Sequence, residues 1–366
     1  MTSLLPFLAS RGCVVPTVDL LQPADPFLDT AGEDLRRRIF LTADANGAAL
    51  CLRPEFTIPV CRHHLASGRG PTRYAYEGTV FRQRRDEPAE FRQAGIEDLG
   101  NADAAAADAN CLGDCLAALG EIGVANCEVV IGDQAVFEAV LSGLELPPAW
   151  RKRLTRAFGD TDKLRADVAR LSGETPEPEA PPAEARKLLD SGDLAGLESW
   201  IAGRMALAGL SQTHGRMPGE IAARLAEKAE LAAARLDTAH RRALEDFLAI
   251  DVEFGDAIGA LEQHAAVHGF GGNGELNRAL TGFAQRSAAI GSKAHAKLRF
   301  RARFGRSLDY YSGLVFEVSA RGVAKPLAGG GRYDRLLQFL GAPAPVAAVG
   351  FSIWLDRAEK AAGGKS

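Results

Sequence analysis

The strongest constraint on this chain is the position of its helix-forming middle. From Trp150 to about Ala289 the sequence is dense in Ala, Leu, Glu and Arg, residues that lose little on entering a helix. Strand-like segments lie on both sides: Ala48–Leu52, Arg73–Phe81 and Cys127–Ile131 before it, and a run resuming at Lys297 after it. Asp103–Leu119 is helical by its alanines and leucines, and the chain closes on a helix after Gly350. Strands so far apart that share one sheet give an α+β core with mainly antiparallel pairing. Residues 148–289 are then an inserted helical domain in a core made of 1–147 and 290–366. Within the insertion, Glu174-Thr-Pro-Glu-Pro-Glu-Ala-Pro-Pro182 breaks the helical run, because each proline ring clashes with the preceding turn.

The segment after the insertion carries the chemistry. Arg306-Ser-Leu-Asp-Tyr-Tyr-Ser-Gly-Leu-Val-Phe-Glu317 crowds polar groups into a strand-like run. Leu314, Phe316 and Val318 alternate with Val315 and Glu317; upstream, Leu298, Phe300, Ala302 and Phe304 alternate with Arg299, Arg301 and Arg303. Two strands joined near Gly305 place Arg306, Tyr310 and Tyr311 at a hairpin mouth. A guanidinium there can grip a carboxylate or phosphate bidentately, and a tyrosine offers an apolar ring with a polar tip. The same residues also fit an Arg–Asp pair with tyrosines packed over a core edge. Chemistry alone leaves both readings open.

The segment resembles the histidine-specific signature of class II histidyl-tRNA synthetases, with Ser307 in place of a glycine. Other stretches agree, in the family's order. Pro16 to Phe40, with Pro26-Phe27 and Gly32-Glu33, looks like a loose first, dimer-forming motif. Leu52-Arg-Pro-Glu-Phe-Thr57 is similar to the family's Leu-Arg-Pro-Glu-Gly-Thr loop. Phe81-Arg82 through Phe91-Arg92-Gln93-Ala-Gly-Ile-Glu97 resembles the second motif. Gly329-Gly-Gly-Arg-Tyr-Asp334 and Val349-Gly-Phe-Ser-Ile-Trp-Leu-Asp-Arg357 resemble the glycine-rich turn and third motif. The resemblance covers roughly residues 10–135 and 290–360 and implies a class II synthetase-like core.

Departures from the family bear on its nucleotide side. The chain ends soon after Arg357, where the synthetase carries an anticodon-binding domain, so none is expected. Lys and Arg number 43 against 47 Asp and Glu, a net −4, whereas a chain that neutralises many phosphates shows a positive patch. Arg36-Arg37-Arg38 reads as a solvated face. The stretch between Arg82 and Phe91 is shorter than the synthetase's loop and acidic, and Arg82-Gln83-Arg84 replaces its Arg-x-Glu. Trp354 stands where the family has a glycine beside the nucleotide, and added volume is not absorbed freely. These losses resemble a paralogous family, the regulatory subunits of short-form ATP phosphoribosyltransferase, the first enzyme of histidine biosynthesis. That likeness implies a non-catalytic chain that self-dimerises, assembles with a short catalytic subunit, and serves feedback regulation by histidine. An amino-acid-activating ligase without an anticodon domain and an RNA-binding remnant are the alternatives.

By the resemblance, Glu55, Thr57 and Gln93 surround the ammonium of a bound L-histidine. Arg82 and Arg306 lie near its carboxylate, Glu97 and Tyr311 face the imidazole, and Tyr310 lines the same wall. An acceptor facing the ring N–H can fix its tautomer. A salt-bridged core accounts equally well for any one pair of these residues, since buried charges need partners whatever their role. The amino-acid side is intact while the nucleotide side is altered, which suits a sensor.

At 366 residues, 46% hydrophobic and 25% charged, the chain has room for two or three globular domains. No run is long enough for a membrane span and the start lacks a signal-like segment, so a cytoplasmic location is expected. Six scattered cysteines are expected to be reduced. Cys51, Cys61, His63 and His64 match no usual zinc spacing, and the resemblance puts Cys61 on a helix, so no metal or cofactor is expected. Cys111 and Cys115 share a helix face and are expected to pack. Gly329-Gly330-Gly331 is not a dinucleotide fingerprint and reads as a tight turn into a helix at Tyr333–Leu340.

Overall fold

A computed structural model describes residues 3–30, 33–174, 181–208, 217–292, 296–306 and 310–363. Gly32, most of the proline break (residues 175–180) and Ser307 to Asp309 of the tyrosine segment lie outside the described residues.

Two sheets form. The smaller joins β1 (Leu21–Pro23), β2 (Leu41–Ala43) and β3 (Ala49–Leu52) in the order β1-β3-β2. The larger comprises β4 (Thr72–Phe81), β5 (Glu90–Leu99), β6 (Cys127–Asp133), β7 (Asp251–Glu253), β8 (Lys297–Arg301), β9 (Leu314–Ala320), β10 (Ala328–Arg332) and β11 (Ala348–Trp354). Their order is β4-β5-β11-β10-β9-β6-β8-β7, and only β6 and β8 run parallel. This is the α+β architecture with mainly antiparallel pairing expected from the separated strand regions.

Period-two alternation sorts the side chains of this sheet between two faces. Leu314, Phe316 and Val318 of β9, with Val349, Phe351 and Ile353 of β11, enter a core beneath the helices Ala104–Ile122 and Gly274–Gly291. Val315, Ala348 and Trp354 enter a second core on the other face, beside the helix Thr57–Ser67. The helix Ala104–Ile122 starts where the Asp103 carboxylate accepts the Ala106 amide at 3.0 Å, and it stops at Gly123. Cys111 and Cys115 are buried beneath it.

The middle of the chain packs in two ways. Trp150, Leu154, Phe247 and Phe283 join the main core, whereas Ala185, Leu197, Ile201 and Ala222 build a small cluster of their own. No described helix is long and apolar enough to cross a membrane.

Two expectations need correction. Strands β8 and β9 are not a hairpin: β6 lies between them, parallel to β8 and antiparallel to β9. After β8 the chain crosses over β6, pressing so close that a Cβ on Gly132 would stand 1.9 Å from the Phe304 carbonyl. It then packs Gly305 against Phe158, which a Cβ on Gly305 would meet at 2.4 Å. The glycine run is likewise no turn. Gly329 to Gly331 lie within buried strand β10 between β9 and β11, and the helix that follows is confined to Leu336–Phe339. Glycine is needed because neighbours occupy the space of its absent side chain.

Candidate functional site

The sheet's second face carries the site. On β5 the odd-numbered residues Gln93 and Glu97 point to it while Ala94 and Ile96 enter the helix-covered core. Glu55 and Thr57 come from the loop and first turn of the helix Thr57–Ser67, and Arg82 from just beyond β4. Arg306, Tyr310 and Tyr311 approach from the connection before β9. A small cavity of ≈ 40 Å³ lies among Glu55, Thr57, Arg82, Gln93, Arg306, Tyr310 and Tyr311. Seven of the eight residues singled out by sequence therefore converge on one point. The space suits a few water molecules, since one needs about 10–15 Å³, so an amino acid requires the wall to open.

Glu97, the eighth, stands behind the lining. Its carboxylate accepts from Thr57 Oγ1 at 2.8 Å, from the Tyr76 hydroxyl at 3.3 Å, and from the Tyr333 hydroxyl. Burial pushes its carboxyl up to about 8, against the pull of the Tyr333 and Thr57 hydroxyls. Gly350 faces it across the β5–β11 pair, where a Cβ would come within 1.7 Å of Glu97 Oε2. Glu97 thus reaches the cavity through Thr57 and Tyr333.

Glu55 has a structural duty too. Its carboxylate accepts the Ile58 amide at 2.9 Å and the Thr57 amide, satisfying donors at the start of the helix Thr57–Ser67. Burial raises its carboxyl, and those amides and the nearby Arg82 charge act against the rise. Burial also lowers the Arg82 guanidinium to about 10, with Glu55 pulling the other way. Arg306 reaches Glu317 and the Phe316 carbonyl, each at 3.5 Å. Tyr310 packs between Tyr311 and Tyr333, with ring centroids 5.1 and 5.8 Å apart. Two buried polar atoms at this cavity have no partner among the described residues, Gln93 Oε1 and Arg306 Nε, while Ser352 Oγ beside it lies against the Tyr76 hydroxyl. Buried polar groups are normally satisfied, so unpaired ones beside a cavity point to a polar ligand.

Sequence reasoning missed Tyr333, Tyr76 and Ser352. The sequence pattern puts Tyr333 at the start of a helix, whereas in the fold it follows β10, which brings its hydroxyl to Glu97. Cys61 lies buried on the helix Thr57–Ser67, its thiol raised by burial. Among the described residues no group of three His, Cys, Asp or Glu side chains is placed to hold a metal ion.

A family model described as Histidyl-tRNA synthetase matches residues 2–202 and 182–358. A Mesorhizobium japonicum protein named ATP phosphoribosyltransferase regulatory subunit is 52% identical over 96% of this chain and 94% of its own. A Brucella anthropi protein of the same name is 48% identical over 99% of this chain and 97% of its own. Among solved structures, a Bacillus halodurans ATP phosphoribosyltransferase regulatory subunit/histidyl-tRNA synthetase superposes with TM-score 0.66 at 22% identity, covering 99% of this chain and 77% of its own. A histidine–tRNA ligase subunit from Alicyclobacillus acidocaldarius gives 0.61 at 23% identity, over 99% and 91%.

Proposed function

This chain belongs to the family of ATP phosphoribosyltransferase regulatory subunits, and we propose that it binds L-histidine in the cavity beside Glu97 and relays that occupancy to a catalytic partner. The observation that carries the reading is the convergence of Gln93 Oε1 and Arg306 Nε, both unpaired, on a cavity lined by Glu55 and Arg82. An amino acid supplies what they lack: ammonium donors for Gln93 and Glu55, and a carboxylate for Arg82 and Arg306. Tyr311 borders the place left for the imidazole, with Glu97 behind it fixing Thr57 and Tyr333. The chain has no reaction of its own in this reading. A short catalytic subunit carries out the first step of histidine biosynthesis in the cytoplasm, and histidine feeds back on it through this subunit. Within residues 148–289, β7 and the side chains that join the main core belong to the synthetase-like core, and the helices around Ala185, Leu197, Ile201 and Ala222 are the inserted part.

A self-dimer completes the proposal. The small sheet and the segment leading into it leave Val15, Leu20, Leu21 and Leu41 about half exposed, with Leu21 and Leu41 on opposite faces by their pairing with Leu52 and Cys51. An apolar patch repeated on a second copy makes the self-complementary surface of a two-fold dimer.

Calorimetric titration with L-histidine tests the pocket. Glu97→Gln and Tyr311→Phe should each weaken binding by about 1–3 kcal/mol, the cost of leaving a buried polar partner unpaired. A double variant that binds histidine as tightly as the parent would place the ligand elsewhere.

A further inference from the structure

Arg332, the last residue of β10, is buried beneath the helices on the face of the larger sheet opposite the cavity. Its guanidinium donates through Nε and Nη2 to Asp108 at 3.0 and 2.6 Å, and through Nη1 to Asp334 at 2.8 Å. Nη2 also donates to the Ala104 carbonyl at 3.1 Å. Asp108 belongs to the helix Ala104–Ile122. Behind it, Arg286 of the helix Gly274–Gly291 lies 3.6 Å away and reaches Asp133 at 2.6 Å. Asp133 in turn accepts the Val136 amide at 3.1 Å and so caps the helix Gln134–Ser142. Three helices are thereby tied to the end of one strand.

Such a chain of buried charges is a weak source of stability, because taking the ions out of water costs about as much as their attraction returns. Its forked contacts do fix geometry. What they hold lies next door. Neighbouring residues of an extended chain face opposite ways, so with Arg332 on the helix side Tyr333 enters the core on the cavity side. Asp334 accepts the Ala348 amide at 2.8 Å as well, and its own amide donates to Ser312 Oγ at 2.8 Å. The Ser312 amide donates to the Arg332 carbonyl at 2.9 Å, and the Tyr333 amide to the Ala348 carbonyl at 2.8 Å. Ser312 directly follows Tyr311, and Ala348 stands two residues before the Gly350 that packs on Glu97. The supports of Tyr311, Tyr333 and β11 therefore meet at one guanidinium.

We infer that Arg332 is a positioning residue for the pocket: held between Asp108 and Asp334, it keeps the Tyr333 hydroxyl on Glu97 and the Tyr311 ring at the cavity, without itself reaching the cavity. The inference rests on the reading of that cavity as a histidine site.

Arg332→Lys keeps the charge and loses the fork, and two readouts on the full chain test it. In calorimetry, L-histidine should bind the variant about tenfold more weakly than the parent, the scale of one lost hydrogen bond. The second readout is a pH profile. The Tyr333 hydroxyl pulls the Glu97 carboxyl down against its burial, while Thr57, Tyr76 and Glu55, which also act on it, stay in place. A displaced Tyr333 therefore lets that carboxyl rise. Thermal unfolding of Arg332→Lys, with and without Glu97→Gln, should show the carboxyl's loss of stability continuing to higher pH than in the parent. Asp334→Asn, which discharges the other partner, should move both readouts the same way and keeps the test open should Arg332→Lys fail to fold. A residue that only stabilises the fold would lower the unfolding temperature and leave both readouts where they were, and that result would overturn the inference. A parent that binds no L-histidine would overturn the reading of the cavity and this inference with it. A parent that binds, with variants unshifted, would end the role of Arg332 alone.

Discussion

Three hydroxyls fix the position of Glu97, while its burial governs its charge. An unfolded glutamate titrates near 4.3, by the usual reference of about that value, whereas burial pushes folded Glu97 up to about 8. Between those values the folded chain holds the extra proton, so stability present at low pH is lost as pH rises through about 8. Thermal unfolding from pH 5 to 9 should therefore show the parent losing stability relative to Glu97→Gln, which has no carboxyl to ionise. Parallel curves for the two proteins would mean that Glu97 is already ionised within the fold. At this scale the sequence was most legible where residue types demand partners: Glu55, Arg82, Gln93 and Arg306 all border one cavity. It was least legible for Tyr333, because a tyrosine's partner lies wherever the fold carries its hydroxyl, here across the sheet on β5.

Glycines decide how closely the elements approach. A Cβ on Gly329 of β10 would stand 1.8 Å from Arg306 Nη1, and one on Gly350 of β11 would stand 1.7 Å from Glu97 Oε2. Gly329→Ala and Gly350→Ala should each cost about 1–3 kcal/mol of stability, the usual penalty for overpacking, and both should weaken histidine binding by displacing those side chains. Denaturant unfolding together with a histidine titration checks this; variants indistinguishable from the parent in both would show that the two strands have room to spare. The same crowding explains why β10 was misread as a turn. Glycine-rich sequence ordinarily signals one, and the reason for these glycines lies in Arg306 from the segment before β9 and in the neighbouring strands β9 and β11. The alternation in Leu314 to Val318 and the helix after Asp103 were readable because period and helix-forming composition are local. The missing hairpin was not, since β6, which separates β8 from β9, comes from more than a hundred residues upstream in the chain.

At the scale of the whole molecule, the proposed dimer surface around the small sheet and the proposed pocket on the larger sheet are separate, so assembly and sensing can be tested apart. Replacing Leu21 and Leu41, both more than half exposed, by arginine should convert a dimer into folded monomers. Sedimentation would show it, and an unchanged dimer would move the interface to another surface. The central claim is that occupancy of the pocket is felt by a catalytic partner. Histidine should favour one state of the complex by about 1–3 kcal/mol, roughly 5–150-fold in apparent affinity, and the partner's ligands should alter histidine affinity by the same factor. The direct measurement is phosphoribosyltransferase activity of the reconstituted complex against histidine concentration, for the parent and for Arg82→Ala. The account predicts that the variant assembles and is active but is inhibited only at much higher histidine. An inhibition curve unmoved by Arg82→Ala would contradict it and place the sensing site on another surface or another chain.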